Sequence, residues 1–163
     1  MTLARRSFAS RLGLAAIYTG VSVPMFAVWE VAQLPLYTIW QEQGARASLW
    51  AALHCTVNDA LILFLIFSGA VASAAHVPGL RNLSGLAAMT LLSSLVATAV
   101  IEVLSTQWLE RWSYGPLMPV EPVFAIGLSP LAQWLIVPAS ALFLLRRRLA
   151  QGLVPMTTAG VTP

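Results

Sequence analysis

Residues 54–59 read His-Cys-Thr-Val-Asn-Asp and bring an imidazole, a thiol, a hydroxyl, an amide and a carboxylate into one short run. A carboxyl and an imidazole that share a pocket can give and take a proton, which is the working pair of general acid/base catalysis. Two further carboxyls, Glu30 and Glu102, stand in similarly apolar surroundings. Glu30, His54, Asp59 and Glu102 are therefore the candidate catalytic residues. Isomerases, hydratases and cyclases acting on isoprenoids use such proton transfers, so a lipid-soluble, isoprenoid-like molecule is the expected ligand. The same four side chains also resemble a mixed carboxylate and imidazole metal set. However, no HxxxH, HExxH or ExxH pair accompanies them, and no metal is assigned. Cys55 is the single cysteine, which excludes an internal disulfide and a CxxC motif. No motif names a cofactor, and His76 falls at the opposite membrane face from His54, which argues against bis-imidazole haem.

The elements that must position these groups follow from composition. The chain has 163 residues, 58% hydrophobic and 9% charged, with a mean hydropathy of +0.79. Soluble domains carry about 25% charged residues. Charge-free stretches cover residues 12–29, 60–80, 82–101 and 122–145, and a membrane-crossing helix needs roughly 20 apolar residues. The expected fold is an all-α, integral membrane four-helix bundle over residues 1–148. Its spans lie near 12–38, 49–74, 84–106 and 125–145, and residues 149–163 form a short disordered cytoplasmic tail.

All basic side chains are arginines. A cytoplasmic N-terminus puts Arg5, Arg6, Arg11, Arg81, Arg146, Arg147 and Arg148 inside and only Arg46 and Arg111 outside, as the positive-inside rule requires. Both termini are then cytoplasmic, in a bacterial-type inner (plasma) membrane. The stretch "ARRSFASRLGL" partly matches a twin-arginine export signal. Basic residues before a first membrane helix serve orientation equally well, and no small-x-small cleavage site precedes "MFAVWEVAQ", so the segment reads as a retained helix. The net charge of +3 comes from these flanking arginines and gives no support to nucleic-acid binding.

Helical phase, at about 100° per residue, gathers the polar residues into stripes. The first helix aligns Phe26, Glu30, Gln33 and Tyr37; the third aligns Ser94, Thr98, Glu102 and Ser105; the fourth aligns Ser129, Gln133 and Ser140. On the second, His54 pairs with Asn58 and Cys55 with Asp59. Charged side chains inside a bilayer face the bundle interior or a cavity, so the stripes define a polar pocket in the outer half. Gln33, Tyr37, Cys55, Asn58, Trp112, Tyr114 and Gln133 are its candidate ligand-binding residues. Pro35 should loosen the end of the first helix, and Pro130 and Pro138 bracket Gln133. The small-residue runs "SGAVASAA" and "SGLAA" suit close packing in the inner half.

The six tryptophans, Trp29, Trp40, Trp50, Trp108, Trp112 and Trp134, collect near the outer helix ends and loops. The connection "STQWLERWSYGPLMPVEPVF" makes a Trp-rich outer loop between the third and fourth helices. A short interfacial helix carrying Trp108 and Trp112 is expected there before Gly115, Pro116, Pro119 and Pro122 enforce an extended return over the pocket. The partners are the lipid bilayer and an apolar small molecule. The alternative is a non-catalytic accessory subunit or assembly factor of a larger membrane complex, or a homo-oligomer. In that case the polar groups only join helices through hydrogen bonds worth about 0.6–2 kcal/mol each.

Overall fold

A computed structural model describes residues 8–74 and 76–153. It contains α1 (Phe8–Gln33), a short α2 (Thr38–Glu42), α3 (Gly44–Ser73), α4 (Leu83–Val103) and α5 (Leu128–Leu153). The segments Arg11–Leu36, Gly44–Ser73, Leu83–Trp108 and Leu128–Leu149 are long and apolar enough to cross a bilayer, with mean hydropathies of 1.6 to 1.9. The chain is accordingly a multi-pass membrane protein built on a helical bundle. Residues 1–7, which hold Arg5 and Arg6, and residues 154–163 lie outside the described residues. The last helix runs to Leu153, through the first residues assigned above to a tail.

The four long helices are antiparallel in chain order, with α1 packed on α3 and α5, and α5 packed on α4. The start of α1, the finish of α5 and the turn between α3 and α4 share one end of the bundle, the termini end. The connections at 34–43 and 109–127 share the other, the loop end.

The core is concentrated toward the termini end. The rings of Tyr18 and Phe67 lie 4.1 Å apart at 31°, and the Tyr18 hydroxyl donates to the Pro138 carbonyl at 3.0 Å. Ala70, Val71, Leu145 and Leu149 close around them. Lipid chains are as apolar as Leu, so close contact between helices, not escape from water, holds such a core together. The α3–α4 turn is equally tight. Asn82 Oδ1 accepts from the Gly85 amide at 2.7 Å and caps α4, while Arg81 Nε donates to the Ala74 carbonyl at 3.3 Å. A β-carbon at Gly85 would sit 1.9 Å from the Gly79 carbonyl oxygen. The glycine of "SGLAA" thus packs on the turn and not on a neighbouring helix, whereas "SGAVASAA" does bury Ala70, Val71 and Ala74.

At the loop end the helices finish irregularly. Pro35 lacks an amide hydrogen, and α1 gives way to a 3-10 turn over Leu34–Leu36. Gly44, at φ 76°, turns the chain from α2 into α3. The expected interfacial helix through Trp112 is replaced by a π-turn over Leu104–Trp108 followed by non-helical chain. Glu110 adopts φ 48°, a left-handed conformation that ends helical continuation before Trp112.

Candidate functional site: a polar cavity at the loop end

A cavity of about 570 Å³ lies among the four long helices at the loop end. Small-molecule sites occupy about 300–1,000 Å³. Glu30 and Gln33 share one face of α1 by their three-residue spacing, and Gln33 Nε2 donates to Glu30 Oε1 at 2.9 Å. From α5, Gln133 Nε2 donates to the same oxygen at 2.7 Å and to Asp59 Oδ2 of α3 at 3.2 Å. One amide therefore stands between two carboxyl groups. The network is anchored on its far side, where Ser129 Oγ donates to Gln33 Oε1 at 2.8 Å and Trp29 Nε1 donates to Ser129 Oγ at 3.3 Å. Glu30, Gln33 and Gln133 are 7%, 5% and 1% exposed. Polar groups so buried need their partners, and each of these three has at least two.

Glu102 forms a second center on α4. Its Oε2 accepts from the Tyr114 hydroxyl and, at 3.5 Å, from Trp112 Nε1. Tyr114 in turn accepts from the Gly127 amide at 2.9 Å. Burial, and after it the bond to Glu102, hold the Tyr114 hydroxyl above the ordinary phenol range, so it keeps its proton as a donor.

The 109–127 connection is strapped across the loop end by its backbone. Tyr37 and Tyr114 form an antiparallel bridge, Thr38 N donates to Ser113 O at 3.1 Å, and Gly115 N donates to Leu36 O at 2.7 Å. A β-carbon at Gly115 would press on the Leu36 carbonyl at 3.2 Å, and one at Gly127 on Met118 Sδ and Tyr114 Cε1 at 3.1 Å. The return is pinned by Glu121, whose carboxylate accepts from the amides of Val123, Phe124 and Ile126 at 2.8, 2.6 and 3.3 Å. Desolvation opposes the charge, but the three amides outweigh it and hold Glu121 below the usual carboxylate range.

Of the residues singled out from sequence, Glu30, Gln33, Tyr37, His54, Cys55, Asn58, Asp59, Glu102, Trp112 and Gln133 line the cavity. Tyr114 does not; it stands behind Glu102 as part of the strap. His54 and Asn58 reach the rim but are exposed, while Cys55 and Asp59, one residue further round the same helix, turn inward and are half-buried. His54 makes no hydrogen bond to the carboxyl network, which is joined by the Gln33 and Gln133 amides. The remaining lining residues were not marked as site residues by the sequence, among them Thr98, Ser105, Arg111 and Trp134. The placement of Thr98 four residues before Glu102 was the available signal. Trp134 leaves the tryptophan rim for the interior, 5.2 Å from the Phe26 ring. Among the described residues no group of three His, Cys, Asp or Glu side chains is arranged to hold a metal ion.

Comparison with protein-family models, with curated proteins and with solved structures finds nothing that matches this chain.

Proposed function

We propose that the chain is a small multi-pass protein of a bacterial-type inner membrane, with cytoplasmic termini. Its pocket, in the outer half, binds a lipid-soluble, isoprenoid-like molecule and converts it by acid/base chemistry. The observation that carries this reading is the Gln133 amide held between the Glu30 and Asp59 carboxyls at the wall of a ligand-sized cavity. Helix association alone is served by Ser, Thr or Asn at far lower desolvation cost than by three carboxyls.

The roles follow from the bonds each group already makes. Glu30 Oε1 is occupied by two amides, which fix its orientation. Asp59 accepts from one and lies within hydrogen-bonding reach of the Glu30 carboxyl, so the two acids form one pair at the cavity wall. One carboxylic acid gives a proton to a carbon of a C=C bond, and a facing carboxylate removes a proton from the adjacent carbon. The double bond moves, and the protein's proton count is unchanged. Glu102, fixed by Tyr114 and Trp112, supplies a third oriented carboxyl on the α4 wall.

The test uses the purified protein reconstituted in vesicles of its host's total lipid extract, in deuterated water. The expected result is deuterium entering one lipid-soluble species, with Glu30→Gln and Asp59→Asn slowing the exchange about 10²–10⁴-fold. Absence of labelling with the unaltered protein, or equal labelling by both variants, overturns catalysis. The second reading, an accessory subunit or assembly factor, draws on Trp50 and Trp108, 71% and 77% exposed, which a protein partner would cover.

A further inference from the structure

The cavity walls are unequal. Its back, from α1 and α5, is closed by the buried Glu30, Gln33 and Gln133. Its front, from α3, is lined by the exposed His54 and Asn58, and its α4 wall includes the half-buried Ile101. Because α3 packs mainly on α1, and α4 mainly on α5, the seam between α3 and α4 is the least filled of the four.

Both sides of that seam belong to membrane-spanning segments. The side chains beside it are apolar and outward-facing: Leu61, on the stripe of α3 that carries His54 and Asn58, is 58% exposed, and Leu104, one turn beyond Ile101 of α4, is 41% exposed. A mouth set in such a surface faces acyl chains. The end-on route is crossed by the 109–127 strap, fastened by Gly115 to Leu36 and by Tyr114 and Trp112 to Glu102. Inside, the Thr98 hydroxyl lines the cavity, is 3% exposed and has no hydrogen-bond partner, an arrangement that calls for a polar group from a bound molecule.

We infer that the pocket fills sideways from the bilayer, through a mouth between α3 and α4. The ligand is an uncharged amphiphile whose hydroxyl-bearing head seats among Glu30, Gln133 and Thr98. Its hydrocarbon chain passes between His54 and Ile101 and stays among the lipids. A phosphate head is disfavored by the three carboxyls, and a cationic head by the cost of carrying charge through hydrocarbon. This inference rests on the cavity being a ligand site, and its test is independent of any ligand being retained.

Cys55, the single cysteine, lines the cavity behind the mouth and serves as reporter. In proteoliposomes, a long-chain alkyl maleimide and a sulfonated, membrane-impermeant maleimide are compared, with Cys55→Ser as blank. The alkyl reagent should label at least tenfold faster. Asn58→Trp, at an exposed position that the fold does not use, should slow that labelling at least tenfold, whereas Leu65→Trp, exposed further along α3, should leave it unchanged. Labelling by the sulfonated reagent at an equal or higher rate, failure of both reagents, or indifference to Asn58→Trp overturns the sideways route. Sideways labelling in a protein that retains no lipid-soluble molecule instead leaves the route standing and removes the proposed function.

Discussion

Tyr18 and Gln133 both point into the bundle and both are almost fully buried, yet they are held in opposite ways. Tyr18, in the termini half, stacks on Phe67 and spends its one donor on the Pro138 carbonyl. Gln133, in the loop half, accepts from Gln33 and donates to two carboxyls beside a cavity. The first half is filled by side chains; the second is walled by hydrogen bonds around space. A bilayer gives little hydrophobic drive to helix association, so the filled half must carry most of the packing energy. The hollow half is thereby free to hold costly carboxyls in fixed positions.

That division is broken most severely in the filled half. Phe67→Ala removes a fully buried ring, and should cost about 3–5 kcal/mol. It should appear as a large loss of melting temperature in detergent, with the affinity of the remaining folded fraction for a pocket ligand unchanged. A melting temperature near that of the unaltered protein would show that the termini half is not what holds the bundle.

Tyr114→Phe acts on the other half and should cost about 1–3 kcal/mol, because it leaves Glu102 without its phenol donor and the Gly127 amide without its acceptor. The expected readout is faster proteolytic nicking within 109–127 with little change in melting. Smallest is Asn82→Ala, which removes the α4 cap and should lower stability by about 1 kcal/mol without touching nicking of the strap. If Asn82→Ala loosens the strap as much as Tyr114→Phe does, the two halves are coupled and the comparison fails.

The fold was largely readable because a membrane imposes few solutions. Charge-free runs located the helices, and Pro35 marked the end of α1. The stripes Glu30–Gln33 and Thr98–Glu102 converged as helical phase requires, since spacing along one helix is a local property. What sequence could not reveal depends on chain crossings. The Tyr37–Tyr114 bridge joins distant connections, and nothing local distinguishes it from loop. Trp108 and Trp112 have helical spacing, but Glu110 between them takes a left-handed backbone. His54 with Asn58, and Cys55 with Asp59, are two pairs on one helix, both expected in the pocket. Both pairs line the cavity, but His54 and Asn58 stay exposed at its rim while Asp59 turns toward Gln133, because only the second face meets the neighbouring helices.

The most direct measurement is native mass spectrometry of the protein released in mild detergent from its host membrane, run beside Glu30→Gln and Asp59→Asn. These variants keep shape and an acceptor oxygen at each position, so their melting temperatures should stay close to that of the unaltered chain. A ligand site requires extra mass from one small, apolar molecule on the unaltered protein, lost in both variants. If the protein carries no such mass while the variants melt well below it, the carboxyl network is helix adhesive and the pocket has no ligand.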